Sequence, residues 1–358
     1  MVREYFEKVE ITASTADECV FIGWKAERRT IIGVFVDDMP IIAETKEETK
    51  NIVDYLKETF KVHDLGEATV LLGMEIRRDR GNGTLALSQE RYIEEKAREF
   101  KIEESNPVTT ALPSGYNEEE YGKAKPLEEG NLYRQIVGSL VHATNGTRPD
   151  IAFAVSTLSR HLNKPTELHW KAAKHCLKYL YSTRNKSLVY QGNDNLIGAA
   201  DANFAQQPGA RSTTGYIFTL AGSAVSWKST LQTTVALSTT EAELMGASDA
   251  TREAIWLRHL LTTLGYDQSA PTPILEDNQA VIKLSKNPEN HKRTKHISTR
   301  HFFIRQRTAT GEIQLIGCKT QDMIADMLIK SLSGMCTQIL SELFNLTPWT
   351  MSGCVKYH

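Results

Sequence analysis

The sequence predicts an α/β (α+β) chain, on three observations. Over residues 196–332 a strand, a hairpin, a helix, a strand, a helix, a strand and a last helix follow one another. An acid stands at four of the joints between them: Asp201, Glu243, Asp277 and Asp326. Ahead of this region, Thr30–Ala43 reads as strand, tight acidic turn, strand, with an amphipathic helix after it.

Composition sets the bounds. The chain has 358 residues, 41% hydrophobic and 24% charged, which suits a globular protein of two domains or two to three subdomains. No apolar run approaches the ~18 residues of a membrane span, and the N-terminal MVREYFEKVEITAS has no apolar core. Neither a membrane association nor a secretory signal is therefore expected, and the chain is placed inside the cell. The 5 cysteines are scattered and form no C-x-x-C pair, so neither a disulfide framework nor a zinc cluster is indicated. A net charge of -2 gives no global case for nucleic acid, and any basic footprint has to be local.

In the first half, apolar residues run up to Asp37 and Asp38 and resume after them. Adjacent aspartates between buried strands are costly unless a cation sits there. Aspartate also favours turns, so a solvated turn is the alternative. Thr45–Phe60 carries a capping box, Thr45 with Glu48, and an apolar stripe at Ile52, Val53, Leu56 and Phe60. Gly115–Gly130, rich in glutamate and glycine, reads as a solvated loop. The chain turns helical again from Tyr133, and Pro149 splits that stretch into two helices.

In the second half, Leu196–Phe204 is a short strand ending near Asp201. Ser212–Leu220 and Ala224–Ser229 alternate as antiparallel strands joined at Ala221–Ser223. Ser238 is a good N-cap, and Glu241, three residues on, completes a capping box for a helix reaching about Leu264. Glu243 lies further in, so it faces either solvent or other acids around a metal. Pro273–Leu275 begins a strand ending at Asp277, followed by a helix over Asn278–Ser285. Glu312–Ile316 is a further strand, and Gln321–Ile329 opens a last helix containing Asp326. Acids at such joints can converge on one side of a sheet and clamp two metal ions roughly 3.5–4 Å apart. Taken alone, each acid is equally a solvated or capping residue, and Asp322 competes with Asp326. Basic residues gather between Lys283 and Arg307, among them Lys292, Arg293, Lys295 and Arg300. They suit a polyanion, or else a solvated helix and loop.

The string FVDDM at Phe35–Met39 resembles the Y-V-D-D hairpin of reverse transcriptases, with Phe35 in place of the tyrosine. The strings DLGEATVLLGMEI, LSQERYIEEKAREF, RSTTGYIFTL, VSWKS, LSTTEAEL, LEDNQAVIKLSKNP, TKHISTRHFFIR and IADMLIK resemble copia-type retrotransposon Pol polyproteins. The resemblance implies a partial reverse-transcriptase palm, thumb and connection, followed by an RNase H-like mixed five-stranded sheet flanked by helices. It divides the chain into palm end, primer grip and start of thumb over 1–114, acidic loop and helical thumb or connection over 115–190, RNase H-like domain over 191–332, and tail over 333–358. Leu72, Gly73, Met74 and Glu75 would belong to the primer grip. Asp37 and Asp38 would be an incomplete palm metal site. Asp201 would bridge two Mg²⁺ ions, for which Mn²⁺ substitutes. Glu243 would hold the ion on the leaving-group side, Asp277 the ion that activates water, and Asp326 would complete that shell. Hard carboxylate oxygens suit Mg²⁺. The implied reaction is endonucleolytic hydrolysis of the RNA strand of an RNA–DNA hybrid, read by its 2′-hydroxyls and shape. Gln232 and Ser229 would touch the hybrid's sugars.

Ser298, Phe302, Ile329 and Phe204 depart from the family pattern, which has an acid, His, Thr and Trp there. None of these removes an expected ligand. A further palm aspartate and the fingers are not found ahead of Val34. Polymerisation is therefore not expected of this chain by itself, and the missing N-terminal Pol segment is an expected partner. The expected compartment is the cytoplasm, in a virus-like particle, or the nucleus. The leading expectation is a ribonuclease H of a retrotransposon Pol product. The alternatives are a catalytically silent remnant that binds nucleic acid, and a DNA-integrating or resolving nuclease of related fold.

Overall fold

Residues 2–25, 28–286 and 298–349 are described by the structure, a computed structural model. The chain parts into two units, one of residues 1–72 and 253–270 and one of 73–252 and 271–358.

In the first unit, helix α1 (Val2–Glu7) leads into strands β1 (Ile11–Ala13), β2 (Val20–Lys25), β3 (Arg28–Gly33) and β4 (Ile41–Ala43). They pair antiparallel in chain order. Helix α2 (Lys46–Thr59) adds Leu56 to a core of Phe6, Ile11, Phe21 and Ile32. It starts where the capping box puts it. Glu48 N–H donates to Thr45 Oγ1 and Thr45 N–H donates to Glu48 Oε2, both at 3.2 Å. A two-residue strand, β5 (Val70–Leu71), follows. Of the residues assigned by resemblance to the primer grip, Met74 and Glu75 lie on the next strand, which begins only at Met74. Leu72 and Gly73 have φ of 52° and 78°, a left-handed pair that no strand accommodates.

The second unit opens with β6 (Met74–Asp79), β7 (Thr84–Ser88), α3 (Glu90–Glu99), α4 (Glu118–Lys123), α5 (Gly130–Gly146), α6 (Ala152–Ser159), α7 (Glu167–Ser182) and β8 (Lys186–Tyr190). The helices close around Tyr133, Ile136, Leu140, Leu158, Leu177 and Leu180. The segment expected as a loop holds α4 instead. Asn117 caps it by accepting Glu120 N–H at 3.1 Å, and Glu118 meets Arg160 Nη2 at 2.9 Å. The break at Pro149 is present as a single 3₁₀ turn, Pro149–Ile151. There Arg148 and Asp150, both buried, pair through two hydrogen bonds of 2.9 and 2.7 Å.

A second sheet follows: β9 (Ile197–Gln207), β10 (Arg211–Leu220), β11 (Ser223–Leu231), then helix α8 (Thr239–Thr263), β12 (Thr272–Glu276), α9 (Gln279–Lys286), α10 (Ser298–Ala309) and β13 (Ile313–Gly317). The turns of α8 up to Arg252 belong to this unit. The strand order is β11-β10-β9-β12-β13. The first three strands form an antiparallel meander, while β12 runs parallel to both β9 and β13. This is the RNase H-like mixed five-stranded sheet.

Three expectations change. Asp201 lies inside β9, not at its end, because pairing with β10 continues past it to Gln207. The helix expected over Gln321–Ile329 is two 3₁₀ turns, Thr320–Asp322 and Ile324–Leu328, separated by the extended Met323 with ψ 94°. Helix α10 stands where no element was expected between Ser285 and Glu312. The tail, for which no structure was expected either way, is folded as far as Pro348: α11 (Gly334–Glu342) leads to β14 (Leu346–Pro348), which pairs with β8.

Candidate metal centre

Asp201 stands on β9 opposite Gly215 of β10, 5% exposed. Its Oδ1 accepts the Ala202 N–H at 2.8 Å, which fixes the carboxylate. Glu243 comes from the first turns of α8 and is 9% exposed. Asp277 follows the C-terminal end of β12, half-buried, and its Oδ2 accepts the Thr320 hydroxyl at 3.1 Å. Asp201, Glu243 and Asp277 each offer an oxygen such that all three lie within 4.8 Å of one another. Asp326, on the second 3₁₀ turn, is buried and close enough for its charge to bear on Asp201. Its Oδ1 also accepts from Lys330 Nζ at 2.5 Å.

Two glycines let these elements close on one another. A Cβ at Gly246 would stand 3.3 Å from the Asp201 carbonyl, so α8 lies directly against β9. A Cβ at Gly215 would meet Leu328 Cβ at 2.7 Å, so the turn carrying Asp326 sits on β10. The fit at Gly215 requires the absent side chain, and a Cβ at Gly246 would crowd the strand by a few tenths of an ångström.

Electrostatics set this cluster apart from an ordinary acidic surface. Burial, and then the neighbouring charges of Glu243 and Asp326, push the Asp201 carboxyl well above the usual carboxylate range. Burial, then Glu276 and Asp277, does the same to Glu243. One lysine, on Asp326, does not offset several carboxylates gathered out of water, and a divalent cation removes that cost. The donor set is all hard oxygen, and Glu243 Oε2 is buried with no hydrogen-bond partner among the described residues. These residues fit a divalent metal of the Mg²⁺ kind.

Sequence reasoning missed Glu276, which is fully buried. Its Oε1 accepts the Asn278 N–H at 3.1 Å, while Oε2 has no partner among the described residues. Burial raises its carboxyl far above the usual range, with Asp201 and Asp277 adding to the effect. The period of β12 carries the signal: Thr272, Ile274 and Glu276 share the buried face. Lys330 and Thr320 were missed as well, since nothing in their spacing ties them to the acids.

The other expected residues fall elsewhere. Asp37 and Asp38 sit at an exposed turn closed by paired backbone bonds between Phe35 and Asp38, and no third ligand joins them among the described residues. Of the primer-grip residues, Glu75 is 9% exposed and accepts the Arg91 N–H at 2.9 Å. Gln232, expected on the substrate's sugars, stands between β11 and α8. It is 5% exposed, and its amide donates to Thr214 Oγ1 and to the Ala242 carbonyl, both at 2.9 Å. It ties the end of β11 to the start of α8. Arg300 is half-buried on α10, and Lys292, Arg293 and Lys295 lie outside the described residues.

Residues 1–114 match the family described as reverse transcriptase (RNA-dependent DNA polymerase). Over 88% of its length the chain is 39% identical to the retrovirus-related Pol polyprotein from transposon TNT 1-94 of Nicotiana tabacum. It is 32% identical to the transposon Ty5-1 protein YCL074W of Saccharomyces cerevisiae, over 62% of this chain and 73% of that protein. The chain belongs to the Pol polyproteins of copia-type retrotransposons. It spans about a quarter of the TNT 1-94 relative, 24% of its length. Among solved structures, the N-terminal RNase H domain of Rv2228c from Mycobacterium tuberculosis, fused to maltose-binding protein, is similar over 42% of this chain and 98% of that one. The identity is 12% and the TM-score 0.30. Among the described residues, no helix is long and apolar enough to cross a membrane.

Proposed function

We propose that this Pol segment is a metal-dependent ribonuclease H that hydrolyses the RNA strand of RNA–DNA hybrids. The observation that carries the reading is the trio Asp201, Glu243 and Asp277, with oxygens within 4.8 Å of one another on an RNase H-like sheet. Asp201, Glu243, Asp277 and Asp326 would hold two Mg²⁺ ions, with Mn²⁺ able to replace them. Bound there, the ions supply an activated water and neutralise charge on the departing oxygen. The chain's part is to hold the carboxylates in place. The Ala202 N–H and the Thr320 hydroxyl fix Asp201 and Asp277, and the capped start of α8 fixes Glu243. The half-buried Asp277 is the open side, where a phosphodiester would enter. Arg300, with Lys292, Arg293 and Lys295, would meet the hybrid's phosphates. Polymerisation is left out of the proposal, since Asp37 and Asp38 have no third carboxylate beside them among the described residues.

The test is direct. Incubate the chain with a hybrid labelled on the RNA strand and Mg²⁺ or Mn²⁺, beside the Asp277→Asn variant. The expected result is RNA fragments from the wild type and at least ~100-fold less from the variant. Equal products from both proteins, or none from either, would overturn the reading.

A further inference from the structure

One member of the acidic group already has a cation of the chain's own. Lys330 Nζ stands 2.5 Å from Asp326 Oδ1, one helical turn further along the sequence. The lysine side chain keeps 40% of its surface exposed and that of Asp326 keeps 12%. The ammonium thus reaches the carboxylate from its more exposed side. The backbone presenting this pair is held firmly. Asp326 lies in the 3₁₀ turn Ile324–Leu328, whose neighbours Leu328 and Ile329 press on Gly215. Asp326 also stays outside the trio whose oxygens converge within 4.8 Å.

A carboxylate oxygen held by an ammonium is not free for a metal ion, and the ammonium's charge repels an incoming dication. We propose that Lys330 is a positioning residue that competes with metal for Asp326, and so sets the metal affinity of the centre. This rests on the reading of the carboxylate group as a metal centre. In the metal-free chain Lys330 compensates Asp326. When metal enters, the carboxylate passes from the lysine to the ion. Neutralising Lys330 therefore tightens metal binding. Loss of a lysine with only a structural part would loosen the turn and weaken it.

The measurement is Mn²⁺ binding by the full chain, with free ion followed by electron paramagnetic resonance and no substrate present. The proteins are the wild type, Lys330→Met, Lys330→Gln, Lys330→Arg and Asp277→Asn, each checked for folding by circular dichroism. Removing one adjacent cation is expected to lower the dissociation constant of the weaker site about five-fold in both neutral variants. Lys330→Arg keeps the charge and is expected within about two-fold of wild type. Binding by the neutral variants that equals or falls below wild type overturns the inference, as does an arginine variant that behaves like them. If Lys330→Met does not fold, Lys330→Gln decides. In either failure a clear loss in Asp277→Asn leaves the metal-centre reading standing. Equal binding by wild type and Asp277→Asn overturns that reading, and the inference with it.

Discussion

Two glutamates two positions apart divide structure from chemistry. Glu241 N–H donates to Ser238 Oγ at 3.1 Å, and Glu241 Oε2 accepts the Leu237 N–H at 2.7 Å. It is part of the helix cap, although its carboxylate reaches one residue further back than a capping box requires. Glu243 points into the cluster, with Oε2 buried and unpartnered among the described residues. Glu243→Gln is therefore expected to cut hybrid cleavage by at least ~100-fold with little change in melting temperature. Glu241→Gln, still able to accept the N–H, is expected to keep cleavage within about two-fold and lose ~0.5 kcal/mol or less. Parallel cleavage assays and thermal melts separate the two, and a swapped pattern would mean that Glu241 faces the metals. The part of Glu241 was legible because a cap has a fixed spacing. Lys330 and Thr320 were not, because each meets its acid through tertiary contact rather than through sequence pattern.

At the scale of one element, α7 shows how a cap became pH-sensitive. Thr166 and His169 form its capping box, with Thr166 N–H donating to His169 Nδ1 at 3.1 Å. Burial, and then the stacked His161 at 3.9 Å between ring centroids, pull His169 down to about 4. An unfolded histidine takes its proton near pH ~6.5. As pH falls from about 6.5 towards about 4, the unfolded chain binds a proton that the folded chain refuses. The stability is whole above that window and drains away through it, by ~1–2 kcal/mol for this one group. His169→Gln still completes a capping box, so its melting temperature is expected to fall less steeply than the wild type's across the window. Curves that stay parallel would show that His169 takes its proton as easily folded as unfolded. Neither the start of α7 nor the burial of His169 was legible, since the stretch after Pro149 read as one helix where the structure has α6 and α7. The environment of His169 comes from α4, inside a stretch whose acidic composition read as solvated loop.

For the second unit as a whole, the sheet that carries the acids shares one of its cores with the helices before it and the segment after it. The cluster beneath it joins Ala199, Ile217 and Ala224 of the sheet with Ala152 of α6, Leu188 of β8, and Leu340, Phe344 and Leu346 of the C-terminal segment. Trp227 of β11 donates its indole N–H to the Thr144 carbonyl of α5 at 2.8 Å. Strand β14 pairs with β8, and β8 pairs with β7, so residues 84–88, 186–190 and 346–348 share one ladder. Local pattern marks where a strand begins and ends, but it does not say whose side chains fill the space under a sheet. That is why the strands over 196–332 and the helices α8 and α9 were legible, while α10, the 3₁₀ turns that carry Asp326 and the part played by 333–348 were not. The physical consequence concerns the boundaries at 191 and 332. Cutting there removes Leu188, Phe344 and Leu346, each 1% exposed or less, besides the β14–β8 pairing. At ~1.5–3 kcal/mol for each large apolar side chain, the loss is of the same order as the whole stability of a small domain. The excised segment 191–332 is expected to be molten or unfolded, and 73–349 to melt in one cooperative step that includes the metal centre. Circular dichroism melts of the two pieces, with tryptophan fluorescence as a second probe, check this. A sharp, reversible transition in the excised segment would show that the sheet needs neither neighbour.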